Sequence, residues 1–457
     1  MRLSIDNIGK IKNAQINING VCIIAGVNNT GKSTMGKSLF SAFSSLFDID
    51  KKIEDEKVDA LQATINRNLI NLSTNKFRFK DSRIYFINRV FSEKFIKDVI
   101  NILNKEDFKK LTKDEINNVI IKYFNDFLNR NYKDLGVEKN FIDSYIDNIS
   151  ASFLDILSVD KRVFQDSLVT KALNSEFNNQ INNINSDKSG KIVLSLKDND
   201  IQIDVKNNKA TLKDTNVNIF SECVYIDNPF IVDDLNSHAY YPYRESFFNG
   251  FLDHRSHLYK KLSGMNKKNT VEQIVVNNKI SDILNKLNTV VGGTIYNNGS
   301  NYVYSNDNFK EGLDIRNLSA GLKTFAIIKM LLLNGAIEEN GLIILDEPEI
   351  HLHPKWQLVF AEIIVLLQKE FGLHILLNTH SPYFLNAIEV YSQVHGIEDK
   401  CNYYLASNNG KFAELKEIVG SLEEIFGLLA EPFQDLENIK YRDEDWYCSF
   451  WWKFRYC

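Results

Sequence analysis

Apolar and polar positions alternate along residues 1–25 in short runs, LSIDNI, AQINI and VCIIA, separated by Gly and Asn. That period of two predicts strands joined by tight turns. The third run leads straight into a glycine-containing loop. Residues 31–47, GKSTMGKSLFSAFSSLF, then place apolar side chains at helical intervals without a proline. The expected order is strand, loop, helix. From about 50 to 175 the periodicity is helical, as in EINNVIIKYFNDFL and FIDSYIDNISASFLDIL, with charged and Asn-rich connections. An inserted helical arm over 51–190 follows from it.

Alternation returns at 191–226 (KIVLSLKDNDIQIDVKNNKATLKD, then ECVYIDNPF) and predicts antiparallel strands joined by Asp/Asn turns. Helical character resumes over 243–290. The stretch LKTFAIIKMLLLNGAIEENGLIILDEPEIHLHP then reads as a buried helix, a Gly break and a wholly apolar strand ending in acids, and LHILLN repeats the strand and ends at Thr379 and His380. Apolar strands alternating with helices predict an α/β fold with a mixed sheet. The expected organisation is a head in two halves, 1–50 and 300–430, with the arm at 51–190. Residues 191–299 are shared between head and arm, and an aromatic tail covers 431–457.

The size of 457 residues allows two or three structural units and a sizeable core. A hydrophobic share of 44% and a charged share of 25% are those of an ordinary globular chain. Net charge of -5 gives no overall drive toward nucleic acid. The cysteines Cys22, Cys223, Cys401, Cys448 and Cys457 form no CxxC pair, which argues against a zinc ribbon or a disulfide framework and fits a reducing cytoplasm. No export is expected from the alternating N-terminus, and no apolar run reaches the roughly 20 residues that span a bilayer, so the protein is not expected in a membrane.

Gly26-Val27-Asn28-Asn29-Thr30-Gly31-Lys32-Ser33 satisfies GxxxxGK[ST] between a predicted strand and helix. In such a loop glycines turn backbone N–H groups onto phosphates and the helix N-terminus adds partial positive charge. Lys32 is placed to reach the β/γ-phosphates and the Ser33 hydroxyl to ligate Mg²⁺. Leu342-Ile343-Ile344-Leu345 precedes Asp346 and Glu347, a buried strand delivering two carboxylates, one for the metal and one to polarise an attacking water. His380 ends the second strand, either reaching a γ-phosphate or simply satisfying a hydrogen bond there. Ser319, within LSAG, opens a helix with Gly321, as a cap or as donors to a phosphate.

The order phosphate loop, LSAG, LIILDEPE and NTH resembles an ABC-type ATPase head of the SMC-like branch. LDEPEIHLHP, the LSAGLKTFAIIKMLL helix and IDNPF are more closely similar to the compact bacterial AAA-type ATPases of anti-phage systems, Septu among them, and of the OLD family. The resemblance covers the two ends of the chain. It implies an ABC-type P-loop head with ATP and Mg²⁺ as cofactors. Gly26, Asn29, Gly31, Lys32, Ser33 and Thr34 would hold nucleotide, with Ser33 and Asp346 at the metal, Glu347 as catalytic base and His380 sensing the γ-phosphate. Ser319 and Gly321 would contact ATP on an opposing protomer, although Ala320 and Leu322-Lys323 depart from the usual signature. Two heads would sandwich ATP, giving a homodimer or higher homo-oligomer.

After His380 the chain is too short for a TOPRIM nuclease. Asp443, Glu444 and Asp445 read as a solvated acidic turn. These absences favour a regulatory ATPase whose arm and tail scaffold a separately encoded effector, a nuclease or toxin in phage defence. The competing reading is a DNA-repair or chromosome-associated ATPase, for which Lys109-Lys110, Lys260-Lys261 and Lys267-Lys268 are candidate phosphate contacts. A transporter ATPase is a remote third. Trp446, Tyr447, Phe450, Trp451, Trp452, Phe454 and Tyr456, interspersed with Lys453 and Arg455, make the tail a candidate partner-docking segment or a segment packed back onto the head.

Overall fold

The computed structural model describes residues 1–74, 112, 114–115, 117–119, 121–122, 151–152, 155–197, 199–213, 219, 221–236, 253–264, 280–299, 301–307 and 311–454. They fall into two compact units, Met1–Phe47 with Leu168–Tyr243 and Phe251–Cys457, and Asp48–Ser167 with Arg244–Gly250. Lys109-Lys110 and Lys267-Lys268 lie outside the described residues, as does half of the expected arm.

The strands of the first unit are β1 (Arg2–Ile8), β2 (Ile11–Asn17), β3 (Val21–Ala25), β4 (Gly190–Leu196), β5 (Asn199–Lys206), β6 (Lys209–Leu212), β7 (Cys223–Ile226), β8 (Thr294–Asn297), β9 (Tyr302–Ser305), β10 (Leu313–Asp314), β11 (Leu342–Asp346), β12 (His374–Thr379), β13 (Cys401–Asn409) and β14 (Phe412–Ile418). The helices of the chain are α1 (Lys32–Leu46), α2 (Ile49–Thr74), α3 (Lys161–Phe177), α4 (His254–Leu262), α5 (Ser281–Asn288), α6 (Ala320–Leu333), α7 (Pro354–Phe371), α8 (Pro382–Val394) and α9 (Glu423–Phe454), with a short turn of helix at Ile231–Asp234.

One 11-stranded sheet runs β6-β5-β4-β1-β2-β14-β13-β3-β12-β11-β7. Its centre, β13, β3, β12, β11 and β7, is parallel, and β6, β5, β4, β1 and β2 form an antiparallel wing. The sheet is mixed and the class α/β, as the sequence pattern implies. β3 and β7 are buried at every position and β11 at all but its last. Burial on both faces is why these strands read as continuous apolar runs instead of alternating ones. Each buried Ile or Leu side chain contributes roughly 1.5–3 kcal/mol. The wing strands β4 and β5 largely alternate between buried and partly exposed positions, as strands with one face on the core do.

Register aligns the carboxyl ends of the central strands. Ala25 pairs with Thr379 and with Leu405, Asp346 with Asn378, and Leu345 with Ile226. Everything that follows these strands in sequence is therefore delivered to one edge, where open α/β sheets bind ligands.

The hairpin β13–β14 and the small sheet β10-β9-β8 add to the elements read from the pattern. Their strands are short or end in polar, exposed tips, so periodicity is weak there. The expected tail from 431 continues as α9. The side chains of Asp443, Glu444, Asp445 and the tail aromatics lie outside the described residues. In the second unit Ile53, Val58, Leu61 and Leu157 are buried, Lys161 Nζ is 2.5 Å from Asp50 Oδ1, and Lys57 sits over the Phe164 ring.

Candidate functional site

The loop between β3 and α1 is shaped by close approach. A Cβ on Gly26 would lie 2.3 Å from the Ala406 carbonyl oxygen, and one on Gly31, at φ +82°, would lie 2.8 Å from Ile11. Only glycine fits either place without moving backbone or core. Asn29 takes the left-handed conformation at φ +63°, and its carbonyl accepts from Lys10 Nζ at 2.7 Å. Gly31 then serves as the N-cap of α1, leaving Ser33 exposed and Thr34 half-buried on the first turn.

Lys32 is buried, yet its ammonium faces the loop. It donates to the carbonyls of Gly26 at 2.9 Å and Val27 at 3.0 Å, and lies 3.2 Å from Glu347 Oε1. A buried cation held by its own loop carries its charge to the place where anionic phosphates would sit.

Asp346 ends β11 with both oxygens bonded. Tyr225 donates to Oδ2 at 3.0 Å, and Asn378, its register partner on β12, donates to Oδ1 at 2.9 Å. Both donors are neutral. Glu347 follows in the left-handed region at φ +50°, uncommon for a residue with a side chain and worth roughly 1–2 kcal/mol of strain. Its N–H donates to the Asn378 carbonyl at 2.9 Å, which holds the twist. The twist turns the Glu347 carboxylate toward Lys32 and toward His380, whose Nδ1 is 3.5 Å away. His380 and Lys32 hold the Glu347 carboxyl below the usual range despite partial burial, and Glu347 raises the His380 imidazole.

Glu349 is a further member that motif reading missed. It is buried, accepts from Thr379 Oγ1 at 2.5 Å and from the His380 N–H at 3.2 Å, and burial raises its pKa. The carboxyl thus pins the end of β12, and His380 with it, to the turn after β11. Tyr225 and Asn378 were also missed, because each lies inside an apolar strand. Their signal is register, which places Ile344 and Asp346 opposite them.

Ser319 and Gly321 stand apart from this group. Ser319 Oγ caps α6 by accepting from Leu322 N at 3.4 Å, and a Cβ on Gly321 would meet the His351 carbonyl and the Trp356 ring at 3.0 Å. Lys323, one turn on, is buried against Asp233 at 2.6 Å and over the Phe230 ring. Of the candidate lysine pair on α4, Lys261 is nearly buried and ion-paired with Glu222. Among the described residues no group of three or more His, Cys, Asp or Glu side chains could hold a metal by itself.

The family model described as AAA ATPase domain matches residues 1–385. The chain belongs to that family. Its AAA ATPase domain runs through both halves of the site, from β1 past His380 into α8. The chain is 30% identical over 139 residues to the retron Ec83 probable ATPase of Escherichia coli, covering 27% of this chain and 23% of that protein. It is 26% identical over 197 residues to the Septu protein PtuA of Bacillus thuringiensis, covering 39% of this chain and 46% of PtuA. The matched stretches thus span less than half the length of these relatives. The SMC head domain from Thermotoga maritima aligns over 92% of this chain and 98% of its own at 10% identity, with a TM-score of 0.36.

Proposed function

We propose that this chain is an ATP-binding and ATP-hydrolysing regulatory subunit whose heads pair around nucleotide and control a separately encoded effector, a nuclease or toxin, in anti-phage defence. The observation that carries the pairing is the edge itself. Around Lys32, Asp346, Glu347 and His380, the loops after β3, β7 and β11 and the first turn of α8 after β12 expose Val27 (44%), Phe230 (44%), Ile350 (53%) and Tyr383 (63%). Large apolar side chains from successive segments at one edge are expected of a surface that a second copy covers. The retron and Septu relatives support the defence setting.

The site fits magnesium nucleotide. Glycines that nothing larger could replace let the loop backbone between Gly26 and Thr34 turn its N–H groups inward, as phosphate oxygens require. Asp346 is a carboxylate bonded only to neutral donors. One such carboxylate plus the Ser33 hydroxyl suits Mg²⁺, which is normally held by few protein ligands together with phosphates and water. When bound, ATP brings the γ-phosphoryl group and Mg²⁺ neutralises the charge that develops on it.

The residues then divide the work. Backbone N–H groups of the loop between Gly26 and Thr34 and the N-terminus of α1 cradle the phosphates, with Asn29 shaping the turn. Lys32 leaves the Gly26 and Val27 carbonyls for the phosphates, and in doing so releases Glu347. Without the ammonium beside it Glu347 becomes more basic, which is the change needed to orient water and accept its proton. His380 donates toward the γ-phosphate, its backbone fixed by Glu349. Ser319 and Gly321, with the first N–H groups of α6, face nucleotide on the partner head.

Size measurement of Glu347→Gln with and without ATP tests the reading. ATP should convert monomer to a paired form, and an unchanged monomer that binds ATP would refute the pairing. Copurification from the native gene neighbourhood should recover a second protein, and full defence by the solitary chain would refute the effector.

A further inference from the structure

Behind Asp346 lies a line of buried polar groups that phosphate chemistry does not itself use. Tyr225 is 1% exposed, and the hydroxyl it gives to Asp346 is its polar tip. Its ring stacks on the His254 imidazole with centroids 4.4 Å apart and planes 25° from parallel, and Phe40 of α1 packs against both rings. His254 is gripped on both sides. Nδ1 is 2.7 Å from Glu176 Oε2, its backbone N–H donates to Glu176 Oε1 at 2.7 Å, and Nε2 is 3.2 Å from Asp227 Oδ2. Arg255 closes the chain by donating to Asp227 from Nη2 at 2.6 Å and Nε at 3.0 Å.

One carboxylate is within hydrogen-bond distance of Nδ1 and a second within ion-pair distance of Nε2, so both ring nitrogens face negative charge, which favours the imidazolium. Stability alone does not explain such a cluster, because buried ion pairs often lose nothing when replaced by apolar groups of similar shape. What it supplies is direction. Two carboxylates fix the plane of His254, the stack fixes the plane of Tyr225, and the hydroxyl is then aimed at one oxygen of Asp346 while Asn378 holds the other. Glu176 and His254 also lie on the segments with which the chain re-enters this unit, beginning at Leu168 and Phe251.

We propose that Tyr225, held by the His254–Glu176–Asp227 cluster, is a positioning residue that orients Asp346 and sets the affinity of this head for the divalent cation accompanying nucleotide. The proposal rests on the reading of Asp346 as a metal ligand. Mg²⁺ demands near-ideal octahedral geometry, whereas Ca²⁺ tolerates irregular coordination. A carboxylate free to tilt therefore penalises Mg²⁺ more than Ca²⁺.

The test uses the full chain with Tyr225→Phe, which removes one oxygen and keeps the ring stacked on His254. Nucleotide binding is measured by equilibrium dialysis in EDTA, then across titrations of Mg²⁺ and of Ca²⁺, with thermal melting as the check on folding. Loss of a hydrogen bond that orients a metal ligand typically costs about 10–100-fold in metal affinity. The half-saturating Mg²⁺ concentration should rise by about tenfold or more, with a smaller rise for Ca²⁺, unchanged binding in EDTA and an unchanged melt. His254→Gln should move the same Mg²⁺ midpoint in the same direction. Ser33→Ala and Asp346→Asn run in parallel. If those two shift the Mg²⁺ midpoint and Tyr225→Phe does not, the positioning role is overturned. An equal rise for Mg²⁺ and Ca²⁺ overturns the geometric account. If Ser33→Ala and Asp346→Asn leave the midpoint unmoved, the metal reading beneath it fails instead.

Discussion

Lys32 Nζ lies 3.2 Å from Glu347 Oε1 while also donating to the carbonyls of its own loop. The lysine expected at phosphate and the glutamate expected at water neutralise one another here. In the proposed function nucleotide would separate them, and binding and activation of the proposed base would become one event.

That coupling predicts different outcomes at its two ends. Lys32→Ala removes the buried cation and should abolish measurable ATP binding. Glu347→Gln removes the competitor for the lysine and should bind ATP at least as well as the wild type, with turnover lower by roughly 10²- to 10⁴-fold. Titration with labelled ATP and single-turnover hydrolysis decide it, and equal loss of binding in both variants would refute the division.

Glu349 should act on turnover and leave affinity alone. Glu349→Ala strands the Thr379 hydroxyl and the His380 N–H, at a cost of about 1–3 kcal/mol for each unpaired buried group. It also frees His380 to move. Glu349→Gln keeps an acceptor and should recover most of the stability. Urea melts and hydrolysis rates of the pair would show it, whereas a matching loss of ATP affinity would place Glu349 in the binding site itself.

The His254 cluster predicts how stability depends on pH. Burial alone would lower its imidazole, but hydrogen bonds to Asp227 and Glu176 outweigh that and raise it to about 9. A raised folded pKa means the stabilisation is whole below the ordinary value near 6.5 and fades as pH climbs through about 9. Asp227 runs the other way. Its burial is outweighed by His254 and Arg255, which lower it to about 2, so its contribution is whole above the ordinary 3.8 and is lost as pH falls through about 2. The unfolding free energy of wild type minus His254→Gln should therefore be flat from about pH 4 to 6.5 and shrink by on the order of 3 kcal/mol toward pH 9. Denaturant titrations across that range measure the difference, and a flat difference to pH 9 would exclude a charged His254.

Gly26→Ala tests the cradle. A methyl pressed against the Ala406 carbonyl must move backbone between β3 and β13, at a cost of roughly 1–3 kcal/mol. Thermal unfolding should fall accordingly, and ATP binding should weaken more than stability explains, because the loop N–H groups are displaced.

The sequence by itself determined the motifs and their local frames. GxxxxGK[ST] after a wholly apolar strand, Asp346-Glu347 after another and His380 after a third are legible because a strand buried on both faces writes a continuous apolar run, and polar residues at its end must face something. Ser319 before an apolar helix was legible as a cap for similar local reasons. The tertiary structure decided what those pieces do to one another. Strand register, which depends on hydrogen bonds between segments separated in sequence, sets Asp346 opposite Asn378 and Ile344 opposite Tyr225, which brings the Tyr225 hydroxyl to Asp346. The left-handed turn at Glu347 aims it at Lys32, and the end of β12 hangs on Glu349. His254 and Glu176 come from separate helices around a strand neither adjoins in sequence. No period in the chain encodes such meetings, since periodicity reports which face of one element is buried and not which polar group of another waits there.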